Sequence, residues 1–306
     1  MLGQNFAYSE AAGQLEQLTS DRLSSGAIEN ALCHYAKNIP DNCLDLTTSD
    51  SVNGHTWHLT KQTHEELPPE EMVFTLHGII MQCDLPPIIR PYGRFVSPKH
   101  VQQRVLLTGI NTPMFADAIQ GLARVDGVLR QAIREEHPRT LAGETEGYST
   151  VEVANRYFTS KKVAREEHHV GFTKEVDPKG ILDDLRGEAF VHTEDNVVEY
   201  YQRQVVNDDQ RFRKIHPSRI TKGDIVEVQL TVNLVELASG KGRNTNLQYI
   251  TKLVLRSITL LDKAYSESIR MSKTPGTNRV TLKRKIGHTD EETRDAERRI
   301  KRMANR

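Results

Sequence analysis

The chain has few cysteines, few aromatics and no long apolar run. Its three cysteines, Cys33, Cys43 and Cys83, are odd in number and lack both CxxC spacing and a companion histidine cluster. That pattern gives no zinc site and points to a reducing compartment. No stretch approaches the roughly 20 apolar residues that span a bilayer. The opening MLGQNFAYSEAAGQLEQL has neither the basic head nor the apolar centre of a secretory signal. The expectation is a soluble, intracellular protein that is not secreted and has no membrane partner. GxSxG, GxxxxGK[ST], HExxH and a strand-borne GxGxxG are also missing. Their absence weighs against an enzyme without excluding one, because catalytic groups can be dispersed along a chain. No catalytic residue, metal ligand or cofactor is assigned, and no internal repeat shows at solenoid periods.

With 306 residues, 37% of them hydrophobic, the chain can build one large domain or two ordinary ones, and 27% charged against 6% aromatic implies much solvated surface. The formal net charge of zero is unevenly spread. Residues 1–80 hold eleven acidic and three basic side chains, a net −8, whereas residues 270–306 hold twelve basic and five acidic ones, a net +7. The acidic head can fold over the basic tail, or the tail can reach an anionic polymer.

The clearest structural signal is DIVEVQLTVNLVELASGKGRNTNLQYITKLVLRSITLLD, residues 224–262. Val226, Val228, Leu230, Val232 and Leu234 alternate with Glu227, Gln229, Thr231 and Asn233, a period of two that suits a half-buried strand and no helix. A second strand follows over Tyr249–Leu261. Upstream, Met72–Cys83 and Val101–Thr108 read as strands. Thr112 and Pro113 start a helix running towards Glu136, with Gly121 and Gly127 as points where it can break. Residues 137–149 have no apolar period and read as a linker. TEDNVVEYYQRQVV, residues 193–206, reads as a helix entered at Thr193, and a helix is expected around Ser25–Lys37.

These elements predict an α+β fold. Residues 1–70 form an acidic, partly ordered lead-in, residues 71–136 an N-terminal mixed α/β part, and residues 150–263 an antiparallel β-barrel or sandwich of OB type. Residues 264–306 form a basic helical tail, in which Thr289 and Glu292 are spaced as a capping box.

Small barrels of the OB type bind single strands with a strand face and the loops between strands. The loop between the two long strands holds Lys241 and Arg243 among glycines and asparagines. Lys252 and Arg256 share a face of the next strand, and Tyr249 is a stacking candidate. These five are the candidate nucleic-acid-binding residues. The same loop can equally be a hairpin turn whose cations protect an edge, and Glu227 and Glu236 weaken the positive field. Tyr157, Phe158, Tyr200, Tyr201 and Phe212 are nearby aromatics that more often fill cores than stack on bases. In the tail, Lys283, Arg284 and Lys285, then Arg298, Arg299, Lys301 and Arg302, are spaced like a bipartite import signal for a nuclear import receptor. Two alternatives stand beside this one. A strand face or edge can dock a protein, or His192, Glu194 and His216 can supply an iron(II) oxygenase triad.

GDIVEVQLTV (223–232), LVLRSITLLD (253–262), HTEDNVVEYY (192–201) and KRKIG (283–287) together resemble a large, expanded group of proteins encoded by mushroom-forming fungi. The resemblance covers residues 150–290. That group carries no established activity, so it transfers no catalytic residue. Its multiplicity resembles the cargo of mobile elements, which implies a nuclear, DNA-related setting. The combined expectation is a non-enzymatic, nuclear, OB-like single-stranded nucleic-acid-binding protein.

Overall fold

The computed structural model describes residues 2–39, 45–51, 54–61, 69–90, 96–134, 140–164, 169–206, 209–237 and 248–273. Met1–Arg270 form one compact unit and Met271–Arg306 a second. All described strands belong to the first.

Helix α1 (Leu2–Ser24) opens the chain, and a 3-10 turn at Leu32–Ala36 leads into β1 (Asp45–Ser51), β2 (Gly54–Lys61) and the short β3 (Glu70–Glu71). Strands β4 (Phe74–Asp84) and β5 (Gln102–Thr108) precede α2 (Pro113–Ala132), which is followed by the hairpin of β6 (Ala142–Thr145) and β7 (Tyr148–Arg156). A small excursion carries β8 (Thr159–Ser160), α3 (Ile181–Arg186) and β9 (Phe190–Val191). Strands β10 (Glu199–Val206) and β11 (Asp209–Lys214) form another hairpin, β12 (Ile225–Leu237) and β13 (Gln248–Asp262) are the long pair, and α4 (Ala264–Lys273) comes last.

The pairings of five strands close on themselves. β4 pairs with β5, β5 with β7, β7 with β13, β13 with β12, and β12 returns to β4. Every contact in this circuit is antiparallel except that of β7 with β13, which is parallel through Ala154 and Val254. Beyond the circuit, β2 and β1 extend the sheet from β12, and β10 and β11 extend it from β13.

The alternation in β12 fills the inside of this circuit. Val226, Val228, Leu230, Val232 and Leu234 are each 0% exposed, and they cluster with Leu253, Leu255, Ile258, Val105, Leu107, Val151 and Val153. Burying a side chain of this size contributes about 1.5–3 kcal/mol, so this set dominates the stability. Helix α2 adds to the same cluster with Phe115, Ala118, Leu122, Val125 and Leu129, spaced three and four apart. It is one unbroken helix. At Gly121 a Cβ would stand 1.9 Å from the Leu32 carbonyl oxygen, so the glycine marks close contact with the 3-10 turn. Packing there overrides the weak helix propensity that suggested a break. Arg130 and Asp126, paired at 2.7 Å and buried, tie α2 to Thr251 of β13.

Helix α1 covers the outer face of β4 and β12. Ala11 and Leu15 pack on Ile79, Ile225, Leu261 and Tyr265. Its last turn is held by Arg22, which donates through Nε to the Glu227 carboxylate at 2.7 Å.

Several sequence expectations change. The acidic head is built into the fold through α1, the 3-10 turn and the β1–β2 hairpin; the expected helix around Ser25–Lys37 shrinks to that turn. Residues 137–149 are no plain linker, since β6 lies within them and β7 begins at Tyr148. Strands β4 and β5 pair within the same circuit as β12 and β13, so the strand-helix part at 71–136 and the barrel part at 150–263 share one sheet. Residues 199–206 form a strand where a helix was predicted. The entry at Thr193 does carry a capping box with Asn196, but it closes only the single 3-10 turn Glu194–Asn196. Pairing with β13 and β11 then decides the conformation, as tertiary context commonly overrides local preference.

Candidate nucleic-acid interface

Of the five predicted binding residues, Lys241 and Arg243 lie outside the described residues, as do all seven of the tail. The remaining three occupy different environments on β13.

Tyr249 is half-buried at the start of the strand. Its ring meets Trp57 edge-on, with centroids 5.5 Å apart, and packs against the main core. This is a packing role, which corrects the expectation of an open stacking platform.

Arg256 sits in a β-bulge. Leu255 pairs with Leu230 and Ser257 with Gln229, leaving Arg256 as the extra residue. Bulges re-aim side chains, and here the guanidinium is turned onto the Glu71 carboxylate. It also donates to the Asp195 carbonyl oxygen at 3.1 Å. With its charge neutralised at about one-fifth exposure, Arg256 is withdrawn from the phosphate-holding set.

Lys252 is different. It is exposed by area, yet enough protein surrounds its ammonium that desolvation, followed by the positive charge of Arg156, holds its pKa below the usual lysine value. Arg156 ends β7, and no local sequence signal pointed to it. The Arg156 charge adds to burial in disfavouring the charged form of Lys252, a repulsion that an anion at Lys252 would relieve. On β5 one cation faces two carboxylates. Arg104 of β5 donates through Nε to Asp84 at 2.6 Å and lies 3.3 Å from Glu152.

The β12–β13 strand pair also borders a cleft with an acidic lining. A cleft of about 370 Å³ between β3, β4 and β12 is lined by Glu29, Glu70, Glu71 and Glu227, with Lys61 as the one cation among its described lining residues. Burial pushes the Glu71 carboxyl up, but the hydrogen bond from His58 and the charge of Arg256 outweigh it, so its pKa is lowered and it stays ionised.

The iron-oxygenase triad is not assembled. His192 is buried, its Nδ1–H donates to the Tyr157 carbonyl oxygen at 2.7 Å, and its ring stacks on Phe172 with centroids 4.2 Å apart. Burial lowers its pKa, so the ring serves as a neutral packing group. His216 instead bonds to the Ser218 hydroxyl at 2.7 Å. Among the described residues no group of three His, Cys, Asp or Glu side chains is placed to hold a metal. Tyr157, Phe158 and Tyr200 are buried, as aromatics usually are, and only Phe212 among these candidates is strongly exposed, at 49%.

No protein-family model and no curated protein matches the chain. Among solved structures the chain is similar to gp2.5, a single-stranded DNA binding protein encoded by bacteriophage T7, with a TM-score of 0.30 and 13% identity over 72% of this chain and 98% of that one.

Proposed function

We propose that this protein is a non-enzymatic, OB-like binder of single-stranded nucleic acid. The observation that carries this reading is the coincidence of fold position and charge. In OB-type barrels the binding surface is the face of the second and third strands together with the loops joining strands one to two and four to five. In the closed circuit those strands are β5 and β7, and the fourth-to-fifth loop is residues 238–247. Arg156 ends the third strand and Lys252 follows that loop, so the mutually repelling pair lies where such a barrel takes its ligand. A phosphate there would relieve the repulsion that Lys252 feels from the Arg156 charge.

The test is anisotropy of labelled oligo(dT) and oligo(U) over a salt series. Affinity is expected to fall as salt rises, and Lys252→Ala and Arg156→Ala are each expected to lower the log–log slope by about 0.7. Absence of binding, or binding indifferent to salt, overturns the reading.

The strands β1 and β11, at the two ends of the described sheet order, support a second reading, protein docking by strand addition. Recovery of a stoichiometric protein partner without nucleic acid would favour it. The nuclear setting implied by the fungal resemblance belongs to the proposal as well, with Lys283, Arg284, Lys285, Arg298, Arg299, Lys301 and Arg302 addressing an import receptor. Retention of a fluorescent fusion in the cytoplasm would sink that part.

A further inference from the structure

The β10–β11 hairpin takes no part in the interface described above. Gln202 is the last residue of β10 to pair with β13; from there the hairpin continues as a two-stranded ribbon with β11 as its outer edge among the described strands. Its two faces differ in chemistry. One face sets Arg203 opposite Phe212 and Tyr201 opposite Lys214. It is fastened down: Arg22 lies over the Phe212 ring at 5.6 Å and donates to Gln210 at 2.8 Å, while Lys214 pairs with Glu199 at 2.9 Å.

The other face sets Gln202 opposite Arg213 and Gln204 opposite Arg211. Gln204, Arg211 and Arg213 are exposed and Gln202 is half-buried. Arg22, Arg104, Arg130 and Arg256 are each paired with a carboxylate. Arg211 and Arg213, by contrast, make no ion pair or side-chain hydrogen bond among the described residues. Two residues apart on one strand face, they stand about 6.8 Å apart along the chain. Each presents a planar fork suited to a phosphate, and the amides opposite add neutral donors. An exposed edge carrying two unpaired guanidiniums complements a phosphodiester backbone.

We propose that this face of the β10–β11 ribbon is a second phosphate-contacting site, at which Arg211 and Arg213 hold the backbone of a strand long enough to extend beyond Lys252 and Arg156. This rests on the single-strand reading above. The test compares wild type, Arg211→Gln/Arg213→Gln and Lys252→Ala on oligo(dT) of about 8 and about 30 nucleotides, the first within and the second beyond the usual footprint of one OB fold. The double variant is expected to melt like wild type and to bind the short strand equally well. On the long strand it should bind about tenfold more weakly, with a salt slope lower by about 1.4. Wild-type behaviour on the long strand, alongside weakened binding by Lys252→Ala, overturns this inference alone. Equal loss on both lengths also overturns it, by placing the arginines in the first site. No binding by the wild-type protein overturns both.

Discussion

Glu227 and Lys252 show how the same fold uses charge in opposite ways. Glu227 is buried on β12 opposite His77 of β4, and it accepts hydrogen bonds from Arg22 and, at 2.9 Å, from His77 Nε2. Burial alone would raise its pKa; the His77 hydrogen bond and the charges of His77 and Arg22 lower it overall. A depressed carboxyl contributes stability above its unfolded value, and that contribution is lost as pH falls through the folded value. Glu227→Gln is therefore expected to cost about 3–5 kcal/mol at neutral pH, because Arg22 is left buried without its counter-charge. It should also flatten the acid limb of stability below pH 4.5, the ordinary value of the group. Urea melts from pH 3 to pH 7 would measure both, and parallel curves for variant and wild type would contradict the assignment. Lys252 has the reverse sign. Its lowered pKa means the fold disfavours its charged form, a penalty present below the folded pKa and relieved as pH rises through it. Lys252→Met should leave the melting temperature at pH 7 unchanged or raised while weakening oligonucleotide binding. A lysine with a structural task would instead lose stability on substitution.

At the level of elements, α2 and the long strands show where sequence speaks and where it falls silent. The two glycines of α2 look alike in the sequence but differ in the fold. Gly127 has nothing within 4 Å of where a Cβ would stand, whereas at Gly121 that position meets the Leu32 backbone at 1.9 Å. Gly127→Ala should stabilise by up to about 1 kcal/mol through helix propensity, and Gly121→Ala should destabilise by about 1–3 kcal/mol through overpacking. Equal effects of the two in thermal melts would refute the contact. The period-two pattern of β12 was legible because it is local, and so was the Pro113 start of α2. Strand β10 was misread because Val197, Val198 and Tyr201 also fit a helical face, and only the pairing of Tyr200 with Ile258 and of Tyr201 with Thr259 and Lys214 decides the matter. The bulge that removes Arg256 from the site depends on the register between two strands. The approach of Arg156 to Lys252 depends on a parallel contact between strands about a hundred residues apart, which leaves no trace in either strand's own pattern.

Across the whole molecule, the question is how the acidic and basic ends divide the work. The three hydrophobic clusters and every described strand lie within Met1–Arg270. Ending the chain after Lys273 removes ten basic and five acidic residues and takes the net charge from 0 to −5. The fold should not notice, so the melting temperature and far-ultraviolet spectrum of the shortened protein are expected to retain the cooperative transition and strand signal of the full chain. Binding should notice in a graded way. Long-range attraction of a polyanion scales with net charge and with the number of phosphates neutralised, so affinity and salt slope should both fall. On the proposed reading Lys252 contributes through the barrel, so the ratio of wild-type to Lys252→Met affinity should be the same with and without residues 274–306. If truncation abolishes binding and the ratio collapses to one, the tail is the binding element and the barrel a scaffold that carries it. If the ratio persists while the slope drops, the barrel recognises the strand and the tail serves to gather it.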